Sequence, residues 1–288
     1  KFSLLWSFFS FFWSLFSKKD YKMKYFYLIL SSLVIVYLVV IVFIYFYQRN
    51  LLYHPSENNY QNDKVQFNYE EVFIEVDSEI KLRSWLIKKD FEKFKTLLIF
   101  HGNAGDLSNR IYKLNELNKL NLNILLISWR GFSGNKGFPT EINLYEDAKS
   151  AVKWLNDNKV KNNQIVLYGE SLGTGVAVEM AKNTNFNSII LESPFTSIEN
   201  SAKIYYPYLP VRLLLKDRYD NISKIKMINA PVLIMHGEKD DVVPISMGKE
   251  LFKSANRPKY SYFTSSDDHM MEFNSELLSQ IEKFINKY

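Results

Sequence analysis

Three short runs, Thr96–Phe100 (TLLIF), Asn123–Ser128 (NILLIS) and Gln164–Tyr168 (QIVLY), are apolar at consecutive positions rather than at every second one. A strand with one wet face alternates, so uninterrupted runs of this length belong to inner strands covered on both sides. Helical patterns follow them at Leu107–Leu120, Glu141–Asn156 and Leu172–Lys182. The alternation continues through strands at Ser188–Leu191, Pro231–Met235 and Lys259–Phe263 and helices at Ile245–Ser254 and Glu272–Asn286. Two earlier strands, Val72–Val76 and Ile80–Ile87, have no helix between them. The pattern predicts an α/β fold, a mostly parallel sheet flanked by helices and entered through an antiparallel hairpin. On such sheets ligands bind at the carboxyl ends of the strands.

Ahead of this region stands Tyr25–Tyr47 (YFYLILSSLVIVYLVVIVFIYFY), with no charged residue in 23 positions. At about 1.5 Å per residue it spans the roughly 30 Å of a bilayer's hydrocarbon, and its terminal tyrosines suit the interfaces. It reads as a transmembrane anchor, retained because no small-residue cleavage site follows it. Lys18, Lys19, Lys22 and Lys24 precede the span and only Arg49 follows it closely, so the N-terminus is expected in the cytoplasm and the large domain on the outer, periplasmic or extracellular side. Residues 1–24 are aromatic and basic, and their serines at 3, 7, 10, 14 and 17 form one stripe on a helix. Three readings of that segment stay open: an interfacial helix, a second short membrane segment, or sequence ahead of a native start at Met23. Residues 48–68 read as a linker and 69–288 as the α/β domain.

Composition closes several alternatives. Net charge of +5 is spread along the body with lysines interleaved among acids, leaving no nucleic-acid stripe. The absence of cysteine excludes disulfides and thiolate chemistry, and four histidines make a His-rich metal site a poor fit. With no P-loop and no dinucleotide fingerprint, no cofactor and no metal are expected.

Glycine is scarce, 10 in 288 residues, so the Gly169-Glu170-Ser171-Leu172-Gly173 pattern has little chance of arising by accident. It sits between the QIVLY strand and a helix. A tight turn there lifts Ser171 out of the backbone and leaves no room for side chains two positions away. The helix starting at Leu172 also aims free N–H groups at the position of a developing oxyanion. Ser171 is the candidate nucleophile.

A serine needs a base, and in strand–turn–helix nucleophile sites the partners follow in the order serine, acid, histidine. Only His236 and His269 follow Ser171. His269, in the loop after the last strand, is the candidate base; His236 closes a strand ahead of every nearby acid and reads as structural. Asp240 in HGEKDDVVP is the candidate orienting acid, with Asp241, Asp267 and Asp268 as alternatives. The second oxyanion donor belongs to the loop after an earlier strand. LIFHGNAGDLS fits, the backbone N–H of Asn103 being the first choice and Ala104 the next, to join that of Leu172. His101 reads as a loop-building residue.

Together HGNAG, GESLG, HGEKDDVVP and DDH resemble the α/β-hydrolase superfamily, in particular its membrane-anchored members with a short N-terminal span, from about Gln48 to the end. RNLLYHPS at 49–56 resembles the stretch that follows the anchor in those relatives. WRGFSGNKGFPTE at 129–141 resembles a second family stretch but departs from it at Trp129, Ser133 and Asn135. The resemblance implies the α/β-hydrolase fold and serine-hydrolase activity, with Ser171, Asp240 and His269 matching the triad. Ser193–Asn229 is longer than an ordinary connection and reads as a short cap insertion; its IYYPYLPVRLLL suits an acyl chain. The expected function is a membrane-anchored serine hydrolase acting on an ester or thioester of a small-molecule or lipid-derived acyl group. Two others stay open: a short-peptide serine peptidase, with Glu192 or Glu199 to capture an N-terminal amine, and a catalytically idle binding protein of hydrolase shape.

Overall fold

The computed structural model describes residues 21–56 and 65–288. The serine stripe at 3–17 therefore lies outside the described residues. These divide into two compact units at Gln48–Arg49. Described in the first unit is the body of a 32-residue helix, Tyr21–Leu52, none of whose side chains is buried. It is the one helix among the described residues long and apolar enough to cross a membrane.

The second unit, Arg49–Tyr288, is built on eight strands: β2 (Glu70–Glu75), β3 (Lys81–Ile87), β4 (Thr96–Phe100), β6 (Asn123–Ile127), β7 (Ile165–Glu170), β8 (Ser188–Glu192), β9 (Val232–Gly237) and β10 (Lys259–Thr264). Two further two-residue strands, β1 (His54–Pro55) and β5 (Ala104–Gly105), pair with each other in parallel. The large sheet runs in the order β10-β9-β8-β7-β4-β6-β3-β2. Its first six strands are parallel neighbours; β3 is antiparallel to both β6 and β2.

Each consecutive apolar run serves two cores. Leu98, Phe100, Leu125, Ile127, Ile165 and Leu167 face the helices Glu141–Asp157, Leu172–Ala181 and Ile245–Ser254. Their chain neighbours Leu97, Ile99, Ile124, Leu126, Val166 and Tyr168 face Ile111–Leu117 and Ser275–Lys287. This is why the strands do not alternate.

Two helices are shorter than their patterns predict. Over Leu107–Leu120, Asp106 caps a tight 3-10 turn at Leu107–Arg110, and the α-helix proper is Ile111–Leu117. The last helix starts at Ser275 rather than Glu272, because the Asn274 side chain accepts from the N–H groups of Glu276 and Leu277. Residues 48–68 are not simply a linker. Through Leu52 they continue the helix, Tyr53 is buried, and His54–Pro55 is a strand. Residues 57–64 lie outside the described set. The segment 193–229 holds three short α-helices, Ile198–Tyr205, Val211–Leu214 and Asn221–Lys224, and a 3-10 turn, Ile225–Met227. Its base is tied down by Ile222 N–H donating to Thr196 O at 2.9 Å and Asn221 Nδ2 to Phe195 O at 3.0 Å.

Candidate active site

The chain leaves β7 at Glu170 and enters the helix Leu172–Ala181 through one residue, Ser171, at φ 50° and ψ −115°. A serine pays for that left-handed φ in strain, which the surroundings must hold. Ser171 N–H donates to Glu192 O at 2.9 Å and Ser171 O accepts from Thr174 N–H at 2.9 Å. The flanking glycines are there for space. A Cβ on Gly173 would fall onto the Phe100 carbonyl, and one on Gly169 would lie 2.6 Å from Gly173 O and Thr174 Cα.

His269 arrives from the loop after β10, its backbone O accepting from Ser193 Oγ at 3.0 Å. Its Nε2 lies 2.9 Å from Ser171 Oγ and its Nδ1 2.8 Å from Asp240 Oδ2. An ionised carboxylate only accepts, so Nδ1 carries the proton and Nε2 is the acceptor facing the serine hydroxyl. Burial disfavours the charged imidazole, but the hydrogen bond and charge of Asp240 outweigh it, and the His269 pKa is raised above its ordinary 6.5. Asp240 is likewise pushed up by burial and pulled further down by His236, His269 and the Val243 N–H, so it stays ionised. Its Oδ1 accepts from the N–H groups of Val242 and Val243 at 2.9 and 2.7 Å. Of the alternative acids, Asp267 accepts from Ser266 Oγ and Asp268 from Met270 N–H.

The loop after β4 is held by its own histidine. His101 Nδ1 lies 2.8 Å from Gly102 O, and burial, aided by Arg110, lowers its pKa to about 3, so the ring is neutral. With Nδ1–H donating to the Gly102 carbonyl, the planar trans peptide turns the Asn103 N–H the opposite way. Gly102's own N–H is taken by Glu170 Oε1 at 3.2 Å. Among the described residues no hydrogen bond uses the N–H of Asn103 or of Leu172.

Beneath the turn lies a buried ion cluster. Glu170 is gripped at 2.6 Å by both Arg110 and Lys113, and Lys113 also reaches Glu192, which accepts from Tyr168 OH. Burial opposes the Lys113 charge, yet the two carboxylates hold its pKa above the usual lysine value. Burial raises Glu170 too, but Arg110 and Lys113 bring it well below the usual range, whereas Glu192, raised by burial and by Glu170, sits above it. Glu192 is thus committed inside the protein, and Glu199 is paired with Lys203 and Arg218. The burial of Glu192 corrects the expectation that it can capture a peptide amine.

A sequence model of the prolyl oligopeptidase family matches residues 139–287. An uncharacterized protein of Mycobacterium tuberculosis is 37% identical over 223 residues, 76% of this chain and 79% of its own length. Human alpha/beta hydrolase domain-containing protein 17B is 32% identical over 197 residues, 67% of this chain and 66% of its own. Among solved structures, an esterase of Pyrococcus furiosus superposes with a TM-score of 0.67 at 20% identity, covering 82% of this chain and 97% of that one. The chain belongs to the α/β-hydrolase superfamily.

Within this α/β-hydrolase the three departures in the 129–141 stretch all brace the site. Trp129 Nε1 donates to His101 O at 3.1 Å. Ser133 takes φ 53°, where glycine is usual, and its Oγ accepts from Ser128 Oγ at 2.7 Å and Leu107 N–H at 3.2 Å. Asn135 accepts from Arg83 N–H and donates to the carbonyls of Ser128 and Trp129. Sequence reasoning missed the ion cluster and the contact of His236 with Asp240. The signal for the first was there: Glu170 ends a buried strand, and Lys113 falls on the apolar face of its helix, so each needed a partner.

Proposed function

We propose that this α/β-hydrolase is a membrane-anchored serine hydrolase that cleaves a carboxylic ester or thioester through an acyl-enzyme on Ser171. The observation that carries the reading is the unbroken path from Asp240 to His269 to Ser171 at 2.8 and 2.9 Å. His269 Nε2 takes the proton as Ser171 Oγ attacks the acyl carbon; the N–H groups of Asn103 and Leu172 hold the oxyanion. His269 then protonates the departing alcohol or thiol. A water attacks the acyl-enzyme by the same route and frees the acid.

Two observations favour acyl substrates over short peptides. Glu192 is buried and committed to Lys113, so it cannot meet a substrate amine. Tyr205 OH donates to Asp241 O at 2.7 Å, one residue from Asp240, so the segment carrying exposed Tyr206, Tyr208 and Leu213 starts beside the site. Residues 25–47 serve as the anchor, with Lys22 and Lys24 on the cytoplasmic side and the hydrolase domain across the bilayer. Labelling by a fluorophosphonate probe, abolished in Ser171→Ala and His269→Ala, is the expected result. A folded wild-type protein that takes no label rules out the acyl-enzyme, and preference for aminoacyl amides over acyl esters in a side-by-side screen rules out the substrate class.

A further inference from the structure

Resting on the assignment of the Asn103 N–H to the oxyanion hole, we propose that Arg49–Ser56 is a positioning strap for the oxyanion loop. The chain just past the apolar span is then a working part of the active site rather than a tether.

The strap grips the loop at successive residues. His54 N–H donates to Asn103 O at 2.8 Å, and Asn103 Nδ2 donates to Leu52 O at 2.6 Å. Ser56 N–H donates to Gly105 O at 3.2 Å and Ser56 Oγ to Asp106 Oδ2 at 2.7 Å. The other end of the strap is fixed independently of the loop. The Arg49 guanidinium meets Asp217 through Nε at 2.8 Å and a second nitrogen at 3.1 Å, and Tyr53 OH lies 2.9 Å from Tyr219 OH in a buried pair. Asp217 Oδ1 also accepts the Glu141 N–H at 3.1 Å, joining the strap to the start of the Glu141–Asp157 helix.

The geometry explains why the loop needs this. The peptide that presents the Asn103 N–H lies between two others. Glu170 holds the preceding peptide at Gly102 N–H, and the strap holds the following one at Asn103 O. From below, Arg110 Nη1 secures Ala104 O at 2.7 Å. Without the strap Asn103 itself loses the partners of both its carbonyl and its side chain, and its dihedrals are free to swing the N–H off the oxyanion. A donor displaced by about 1 Å loses on the order of 10²-fold in rate, because an oxyanion hole works by being already in place.

The test uses the full-length protein in detergent micelles with p-nitrophenyl butyrate. Asn103→Ala keeps the backbone N–H and deletes the tether to Leu52 O. His54→Pro deletes the N–H that holds Asn103 O, at a position whose side chain is exposed. Each is expected to lower kcat about 10- to 100-fold with KM within about twofold, at an unchanged melting temperature. The double variant is expected to be little worse than the poorer single one, since both release the same loop. Unchanged kcat in both single variants, or a loss that tracks only the unfolded fraction, overturns the strap. If the wild type is labelled by fluorophosphonate and hydrolyses the ester while the variants match it, the strap alone is wrong. A folded wild type that does neither overturns the underlying hydrolase reading.

Discussion

His236 places its Nε2 3.0 Å from Asp240 Oδ2, the same oxygen that His269 holds at 2.8 Å. Nε2 also lies 2.8 Å from Val243 O, so with acceptors on this side it carries the ring's proton and shares it. The candidate orienting acid is therefore fixed by a second histidine, fully buried at the end of β9. A hydrogen bond to a charged group contributes about 1.5–3 kcal/mol. His236→Leu is expected to reduce kcat/KM by about 10-fold or more, since 1.36 kcal/mol corresponds to tenfold. Steady-state kinetics that match wild type would show that His236 only fills space.

The raised pKa of His269 sets the pH dependence. Only the neutral imidazole accepts the serine proton, so activity falls as pH drops through a value above 6.5. Stability moves the other way. A folded-state pKa raised above the unfolded value contributes stability that is complete below 6.5 and lost as pH rises through the folded value. In Asp240→Asn the attraction is gone, and the acid limb of fluorophosphonate labelling shifts to lower pH while the rate drops steeply. A wild-type limb centred at or below 6.5 would contradict the electrostatics assigned to this pair.

Gly173 has no space for a side chain, since a Cβ there would collide with the backbone carbonyl of Phe100. Backbone cannot rotate away as a flexible side chain can. Gly173→Ala should force the helix Leu172–Ala181 off β4, costing about 1–3 kcal/mol or more and moving the Leu172 N–H. The measurement is paired, chemical denaturation alongside labelling of Ser171. Native stability with native labelling would mean that the helix sits farther from β4 than the structure places it.

The parallel sheet was legible because burial on both faces leaves consecutive apolar residues, and Leu97 to Phe100 show the two cores taking alternate members of one run. Ser171, Asp240 and His269 stand out in sequence by residue type, chain order and flanking glycines, although their meeting depends on strand order. The His54–Pro55 to Ala104–Gly105 pairing was not legible, since two-residue strands have no periodicity. Nor was the commitment of Glu192. An acid at a strand end looks the same in sequence whether it faces solvent or a buried lysine 79 positions earlier.

That lysine is the most exacting test of the ion cluster. Lys113 is fully buried and bonded to Glu170 and Glu192, with Arg110 on Glu170 as the only other cation among the described cluster members. Removing one partner of a buried ion pair leaves uncompensated charge and costs about 3–5 kcal/mol, whereas replacing charges together costs far less. Lys113→Met should lower the melting temperature by on the order of 10 °C. Adding Glu192→Gln removes the charge left over and should restore a large part of that loss, while Arg110 continues to neutralise Glu170. Calorimetry of the two variants decides the matter. Equal melting of Lys113→Met and wild type would mean that the cluster contributes nothing to the stability of the fold, and a double variant less stable than the single would mean that the Glu192 carboxylate is not the charge that Lys113 neutralises.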